Sequence, residues 1–178
     1  MKHSIIITGA SSGLGLKLGK KFEDEGHRVL KHNGQKHYDL SSSKQIIELA
    51  DAAKSFGVDV LINNAAIKCQ GVELSNYSIE EIQKMLEVNL LAPIKLTYLL
   101  LKDLKLVVNI NSLVGLEIKP NRSIYSAAKY GLRGFSNSLK MEMVFDTPKR
   151  ERSINHEYKK VVVEEVFSDL SLTKILIS

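Results

Sequence analysis

Tyr125 and Lys129 stand four residues apart in "IYSAAKYGLRGFSNSLKMEM", a stretch whose apolar residues recur at helical spacing. At i and i+4 they share one helical face. A free tyrosine ionises near pH 10, too high for efficient proton exchange near neutrality. A neighbouring ammonium stabilises the phenolate and lowers that value, which suits Tyr125 to general acid or base work. A Tyr/Lys pair at this spacing also arises as a solvated surface pair, so its meaning depends on its company. Ser112 closes the apolar run "LKLVVNINS", 13 residues before Tyr125. A hydroxyl at a strand end either caps a turn or hydrogen-bonds a ligand.

A second kind of chemistry belongs to "TGASSGLG". Gly9, Gly13 and Gly15 permit a tight turn and close approach of backbone to a ligand. The helix that follows presents unpaired N–H groups and a partial positive charge to an anion such as a pyrophosphate. A glycine-rich turn between a first strand and a first helix is a moderate sign of nucleotide binding, and a purely structural turn is the alternative.

These residues need elements to hold them. "SIIIT", "RVLKH", "VDVLINNAA" and "LKLVVNINS" read as strands, and "HYDLS" as a further short one. "LGLKLGKKFEDEG" is an amphipathic helix closed by Gly26, and Ser41 to Ser43 cap a helix ending at Gly57. "SIEE" is a capping box that starts a helix running to about Lys102, with a distortion at Pro93. Strands alternating with helices predict an α/β fold, a doubly wound and mostly parallel sheet with helices on both faces. Apolar strands without alternation agree, since both faces of such a sheet are covered. Ligands of such sheets bind beyond the carboxyl ends of the strands, where these motifs fall.

The spacing G-x-x-x-G-x-G after Thr8, "NNAA" at Asn63 to Ala66, Asn89 in "EVNLLAP", Ser112, and the Y-x-x-x-K of Tyr125 and Lys129 occur in one order along the chain. Over residues 3 to about 145 this pattern resembles the short-chain dehydrogenase/reductase family. The resemblance implies a Rossmann-like fold and hydride transfer between nicotinamide C4 and a carbonyl or alcohol carbon of a small molecule. It implies that Ser112 hydrogen-bonds the substrate oxygen and that Tyr125 protonates it during reduction. Lys129 would bind the nicotinamide ribose and lower the Tyr125 pKa, and Asn89 would anchor a relay water. Cofactor contacts would come from Gly9, Ser11, Ser12, Gly13, Leu14 and Gly15, from His32 and Asp39, from Asn63 and Ala65, and from Tyr125 and Lys129. No metal is required. The family's helices carrying Asn89 and Tyr125 pack against a partner subunit, so a homodimer or homotetramer is expected.

An acidic residue at the end of the second strand would bind a ribose 2′-OH and repel a 2′-phosphate. "LKHNGQK" stands there, with Lys31, His32 and Lys36. This points to NADP, with NAD as the alternative.

The chain departs from the family in three places. Ala66 replaces the glycine of Asn-Asn-Ala-Gly, and Asn111 precedes Ser112 where another serine is common. No glycine follows Gly134 and no proline follows Pro148, so the Pro-Gly turn that packs on the nicotinamide is missing. Residues 1–145 therefore read as the cofactor-binding and catalytic core, and 146–178 as an atypical segment of the same domain. "KKVVVEEVF" is a substitute strand, although Val162, Val166 and Leu170 also fit helical spacing. Three readings stay open: a compact reductase with an open substrate site, a cofactor-binding sensor or subunit with weak catalysis, and an altered or truncated form of a longer gene product.

Composition narrows the class. Hydrophobic content of 44% and charged content of 25% are ordinary for a globular domain. The net charge of +5 is local, because five basic and two acidic residues fall between Thr147 and Lys160. No nucleic-acid recognition motif accompanies it. Cys69 is the only cysteine, which excludes an internal disulfide and leaves no zinc-site pattern. No apolar run is long enough for a signal peptide or a membrane span, so a cytoplasmic protein is expected.

Overall fold

The computed structural model describes residues 2–34, 38–144 and 162–167. Its centre is a five-stranded parallel sheet in the order β2-β1-β3-β4-β5. The strands are β1 (Ser4–Thr8), β2 (Arg28–His32), β3 (Val60–Asn63), β4 (Leu106–Asn111) and β5 (Val162–Phe167). The helices are α1 (Gly13–Asp24), α2 (Ser43–Phe56), α3 (Ile79–Leu86), α4 (Ala92–Leu100) and α5 (Ser123–Val144). The chain leaves β1 for β2 on one side and later returns to β3 on the other. That reversal makes the topological switch point at which such sheets bind ligands.

Alternate strand residues serve two cores. Ile6, Leu61 and Val107 pack with Ile46, Leu49 and Ala53 of α2 and with Ala92, Leu96 and Leu100 of α4. Ile5, Ile7, Val60, Ile62, Val108 and Ile110 face the other way, with Leu18 and Phe22 of α1. This two-sided burial explains the unbroken apolar runs in the sequence. Each fully buried leucine or isoleucine contributes about 1.5–3 kcal/mol of transfer free energy.

Local signals set the helix ends. Ser42 caps α2, its hydroxyl accepting from the Gln45 N–H, and Gly57 ends the helix at φ 74°. The capping box of α3 is complete: Ser78 accepts from the Glu81 N–H, and Glu81 accepts from the Ser78 N–H.

Two expectations change, and one open choice is resolved. "HYDLS" forms no strand; Tyr38 to Ser41 are loop and turn. The backbone turns here instead, with the Asp39 carboxylate accepting from the Ser41 N–H and hydroxyl just before α2. The single helix expected from Ser78 is two α-helices joined by a π segment, Glu87–Leu91. Within that segment the Ala92 N–H bonds the Glu87 carbonyl. The distortion therefore precedes Pro93, which sits in the first turn of α4 where its missing N–H is tolerated. In the C-terminal segment, Val162–Phe167 is a strand parallel to β4 rather than a helix; Leu170 lies outside the described residues.

At the opposite, N-terminal edge of the sheet, Asp59 ties three segments together. Its Oδ1 accepts from the Ser4 N–H at 2.9 Å, and its Oδ2 lies 3.0 Å from both His3 Nδ1 and Lys105 Nζ. Burial raises its pKa, but the hydrogen bonds from His3, Lys105 and Ser4 more than offset this and leave the carboxyl below its ordinary value.

Candidate active site

A cavity of about 720 Å³ opens beyond the carboxyl ends of β1, β3 and β4. Its wall includes Gly9, Ser11, Ser12, Leu14, His32, Asp39, Ala65, Tyr125 and Lys129, all singled out in the sequence. It does not include Gly13, Gly15, Asn63, Asn89 or Ser112.

The glycine loop is shaped by close packing. Gly9 has φ 65°, and a Cβ there would stand 2.8 Å from Ala65 Cα. A Cβ on Gly15 would collide with Asn64 Nδ2 and the Gly9 carbonyl. Both glycines therefore let the loop press against the end of β3. Thr8 completes the joint: its hydroxyl accepts from the Asn64 and Ala65 N–H groups at 2.9 and 3.0 Å. The Asn64 amide donates to the Thr8 and Gly9 carbonyls. Ser11 and Ser12 are exposed on the cavity wall. Ser12 makes no side-chain cap to α1, whose first turn holds no acidic residue. The helix N-terminus thus meets the cavity with no carboxylate of its own first turn beside it, which fits a dinucleotide's pyrophosphate.

His32 is buried and bridges two loops. Its Nδ1 accepts from the Gly9 N–H at 3.3 Å, so Nε2 carries the proton and donates to the Tyr38 carbonyl at 2.7 Å. Asp39 accepts from the Ser41 N–H and hydroxyl at 2.9 and 2.7 Å. Lys31 turns away from the cavity to Glu23, 2.6 Å distant. Lys36 lies outside the described residues.

Lys129 is 3% exposed. Its ammonium donates to the Ile110 carbonyl at 3.0 Å and lies 5.8 Å from the ring centre of Tyr125. Tyr125 is half-buried. Ser112 is buried one residue past β4, its hydroxyl accepting from the Val114 N–H at 3.4 Å. It caps the 3-10 turn Leu113–Gly115 and stands behind the cavity wall rather than on it.

Two asparagines are held by other parts of the protein. Asn63 is buried within the sheet. Its amide donates to Asn109 at 2.8 Å and Thr97 at 3.4 Å, and Asn109 donates to Ser136. This buried polar chain joins α4, β3, β4 and α5. Asn89 lies in the π segment, and its side chain pairs with the Ile67 backbone, accepting at 2.7 Å and donating at 3.0 Å. The amide thus holds the loop after β3, and a relay water would have to use the backbone carbonyl. The α-helical donor to that carbonyl would be residue 93, and Pro93 has no N–H.

A family model described as short chain dehydrogenase matches residues 3–145. The chain belongs to the short-chain dehydrogenase family. It is 33% identical over 168 residues to the ketoacyl reductase HetN of Nostoc sp., covering 79% of this chain and 58% of that protein. It is 31% identical over 170 residues to dehydrogenase/reductase SDR family member 7B of Mus musculus, covering 78% and 52%. The chain thus spans about half to three fifths of the length of these relatives. Among solved structures, a 4-hydroxyisoleucine dehydrogenase complexed with NADH superposes with a TM-score of 0.73 at 29% identity, covering 80% of this chain and 70% of that one. A metagenomic short-chain oxidoreductase in complex with NADP gives 0.66 at 25%, covering 80% and 76%. The parallel Rossmann-like sheet is shared with these family members.

Several residues of the cavity wall were not named from sequence. Asn64 and Tyr38 line the cavity; the first is half of the "NN" pair, and its role could have been read from the motif. From α3, Glu81, Lys84 and Met85 line it along one helical face, and Val88 of the π segment lines it too. Tyr77 also lines it, and partial burial followed by the adjacent Cys69 thiol raises its phenol above the ordinary value. Among the described residues no cluster of three His, Cys, Asp or Glu could hold a metal, and no helix is long and apolar enough to cross a membrane.

Proposed function

We propose that the protein is an NAD(P)-dependent oxidoreductase that interconverts a small carbonyl compound and its alcohol by a Ser-Tyr-Lys mechanism. The observation that carries this reading is the placement of Tyr125 and Lys129 on the wall of the same cavity as the glycine loop.

The α1 N-terminus, Ser11 and Ser12 hold the pyrophosphate. His32 and Asp39 face the adenosine end, and Ala65 the adjoining ribose. The bound nicotinamide supplies the hydride. Tyr125 gives a proton to the substrate oxygen in reduction and takes it back in oxidation. Lys129 stabilises the phenolate and holds the nicotinamide ribose. Ser112 turns its hydroxyl from the Val114 N–H to the substrate oxygen. NADP is the preferred cofactor, because the end of β2 reads Lys31-His32-Asn33 and offers no carboxylate to repel a 2′-phosphate. Residues 1–145 form the cofactor-binding and catalytic core. A cytoplasmic homodimer or homotetramer is part of the same reading.

A second reading, cofactor binding with weak turnover, draws on Ser112, which is 6% exposed and off the cavity wall. Fluorescence titration with NADPH and NADH, followed by a panel of aldehydes and ketones, separates the readings. Binding with turnover supports the enzyme, and binding without turnover supports the sensor. The absence of binding to either cofactor overturns both.

A further inference from the structure

Asn111 ends β4 immediately before Ser112, is 1% exposed, and lines the cavity. An amide carries its donor and its acceptor on separate atoms, and here each serves a different segment. Nδ2 donates to the Lys129 carbonyl in α5 at 3.1 Å, and Oδ1 accepts from the Ser112 N–H at 2.9 Å. Lys129 answers in the opposite direction, its ammonium donating to the Ile110 carbonyl at 3.0 Å. Two hydrogen bonds of opposite sense thus join the rim of β4 to one residue of α5.

The amide is also held from behind. A Cβ at Gly115 would stand 3.0 Å from Asn111 Oδ1 and 3.1 Å from Nδ2. The 3-10 turn therefore packs closely over the amide, and a methyl group there would press on it.

We propose that Asn111 is a positioning residue for the catalytic pair. It fixes the height of Lys129 along α5 against β4, and with it the reach of the ammonium toward Tyr125. The same amide fixes the backbone on which Ser112 is mounted. This rests on the reading of Tyr125 and Lys129 as the acid/base pair.

The test compares the full-length wild type with Asn111→Ala, Gly115→Ala, the double variant and Tyr125→Phe. Hydrogen exchange of the Ser112 amide is measured without cofactor. NADPH affinity is measured by fluorescence, and kcat against pH with an alcohol that the wild type oxidises. In Asn111→Ala the Ser112 amide exchanges about tenfold faster, as expected for one lost hydrogen bond. Its kcat falls about tenfold, and the rising limb of the pH profile moves up by about one unit because the phenolate loses part of its cationic support. Gly115→Ala, which presses on the amide, has the same effect in the wild type and none in Asn111→Ala. Should Asn111→Ala fail to fold, Asn111→Ser carries the same test. Unchanged kcat and pH limb in the Asn111 variant, or additive losses in the double variant, overturn the inference alone. An inactive wild type, or a fully active Tyr125→Phe, overturns the acid/base reading and the inference with it.

Discussion

The ammonium of Lys129 lies 5.8 Å from the ring centre of Tyr125, one helical turn away on the same face of α5. Burial of Lys129 against the Ile110 carbonyl fixes that distance from the β4 side. The enclosed ammonium is thus held beside Tyr125 by the protein itself.

Under the proposed mechanism, Tyr125→Phe removes the hydroxyl that would exchange a proton with substrate while keeping the ring in α5. Turnover is expected to fall by about 10²–10⁴-fold, with the NADPH dissociation constant within about threefold of wild type. Steady-state kinetics and fluorescence titration check the two halves. Full activity in the variant would remove the mechanism.

Gly9→Ala places a methyl 2.8 Å from Ala65 Cα at φ 65°. Strain at a left-handed position costs about 1–3 kcal/mol, and the clash forces the loop off β3. Thermal unfolding is expected at a lower Tm, with NADPH binding weakened at least about tenfold. A variant as stable and as tight-binding as wild type would show that the loop has slack.

Asn89→Ala breaks both hydrogen bonds to the Ile67 backbone. Leaving those part-buried groups without their partner costs about 1 kcal/mol, seen as reduced resistance to urea. Hydrogen exchange is expected to rise at Ile67 rather than in β3 itself. Unchanged exchange there would mean that the π segment does not secure the loop.

Asp59 sets a pH dependence at the opposite edge of the sheet. Its folded pKa is depressed, so its stabilisation is full above the unfolded value of about 3.9 and is lost as pH falls through the lower folded value. Asp59→Asn is therefore less stable than wild type at pH 6–7, and the gap closes below about pH 4. Chemical denaturation across this range checks the sign. A gap that widens on acidification would contradict it.

Lys31→Ala is expected to leave NADPH affinity within about twofold, because Glu23 holds the lysine 2.6 Å away and off the cavity wall. A tenfold loss of NADPH but not NADH binding would place Lys31 at the 2′-phosphate after all.

The alternation of strand and helix was legible because each element carries its own signal. The β-branched runs, the capping box at Ser78 and the terminating Gly57 all read locally. The order of motifs brought Gly9, Ser11, Ser12, Leu14, His32, Asp39, Ala65, Tyr125 and Lys129 to the cavity wall. What stayed hidden depends on contacts between distant segments. Asn63 and Asn64 are neighbours of one type, yet one turns into the sheet and the other to the glycine loop; strand alternation decides, and a two-residue motif at a strand end does not announce its phase. The charge of Lys31 reads as a phosphate contact until Glu23, eight residues earlier, is seen to hold it. The π segment does not show in the periodicity because five residues are too few to display a period of their own, although the surplus residue shifts the phase of the helix that follows by about 100°.

That segment also states a rule about insertions and deletions. A π turn is what an α-helix becomes when it accepts one surplus residue. Deleting any one residue from Glu87 to Leu91 would restore a continuous α-helix and rotate α3 by about 100° relative to α4. Glu81, Lys84 and Met85, which now share the cavity wall, would face elsewhere. The length of this stretch, more than the identity of its side chains, keeps that wall in place.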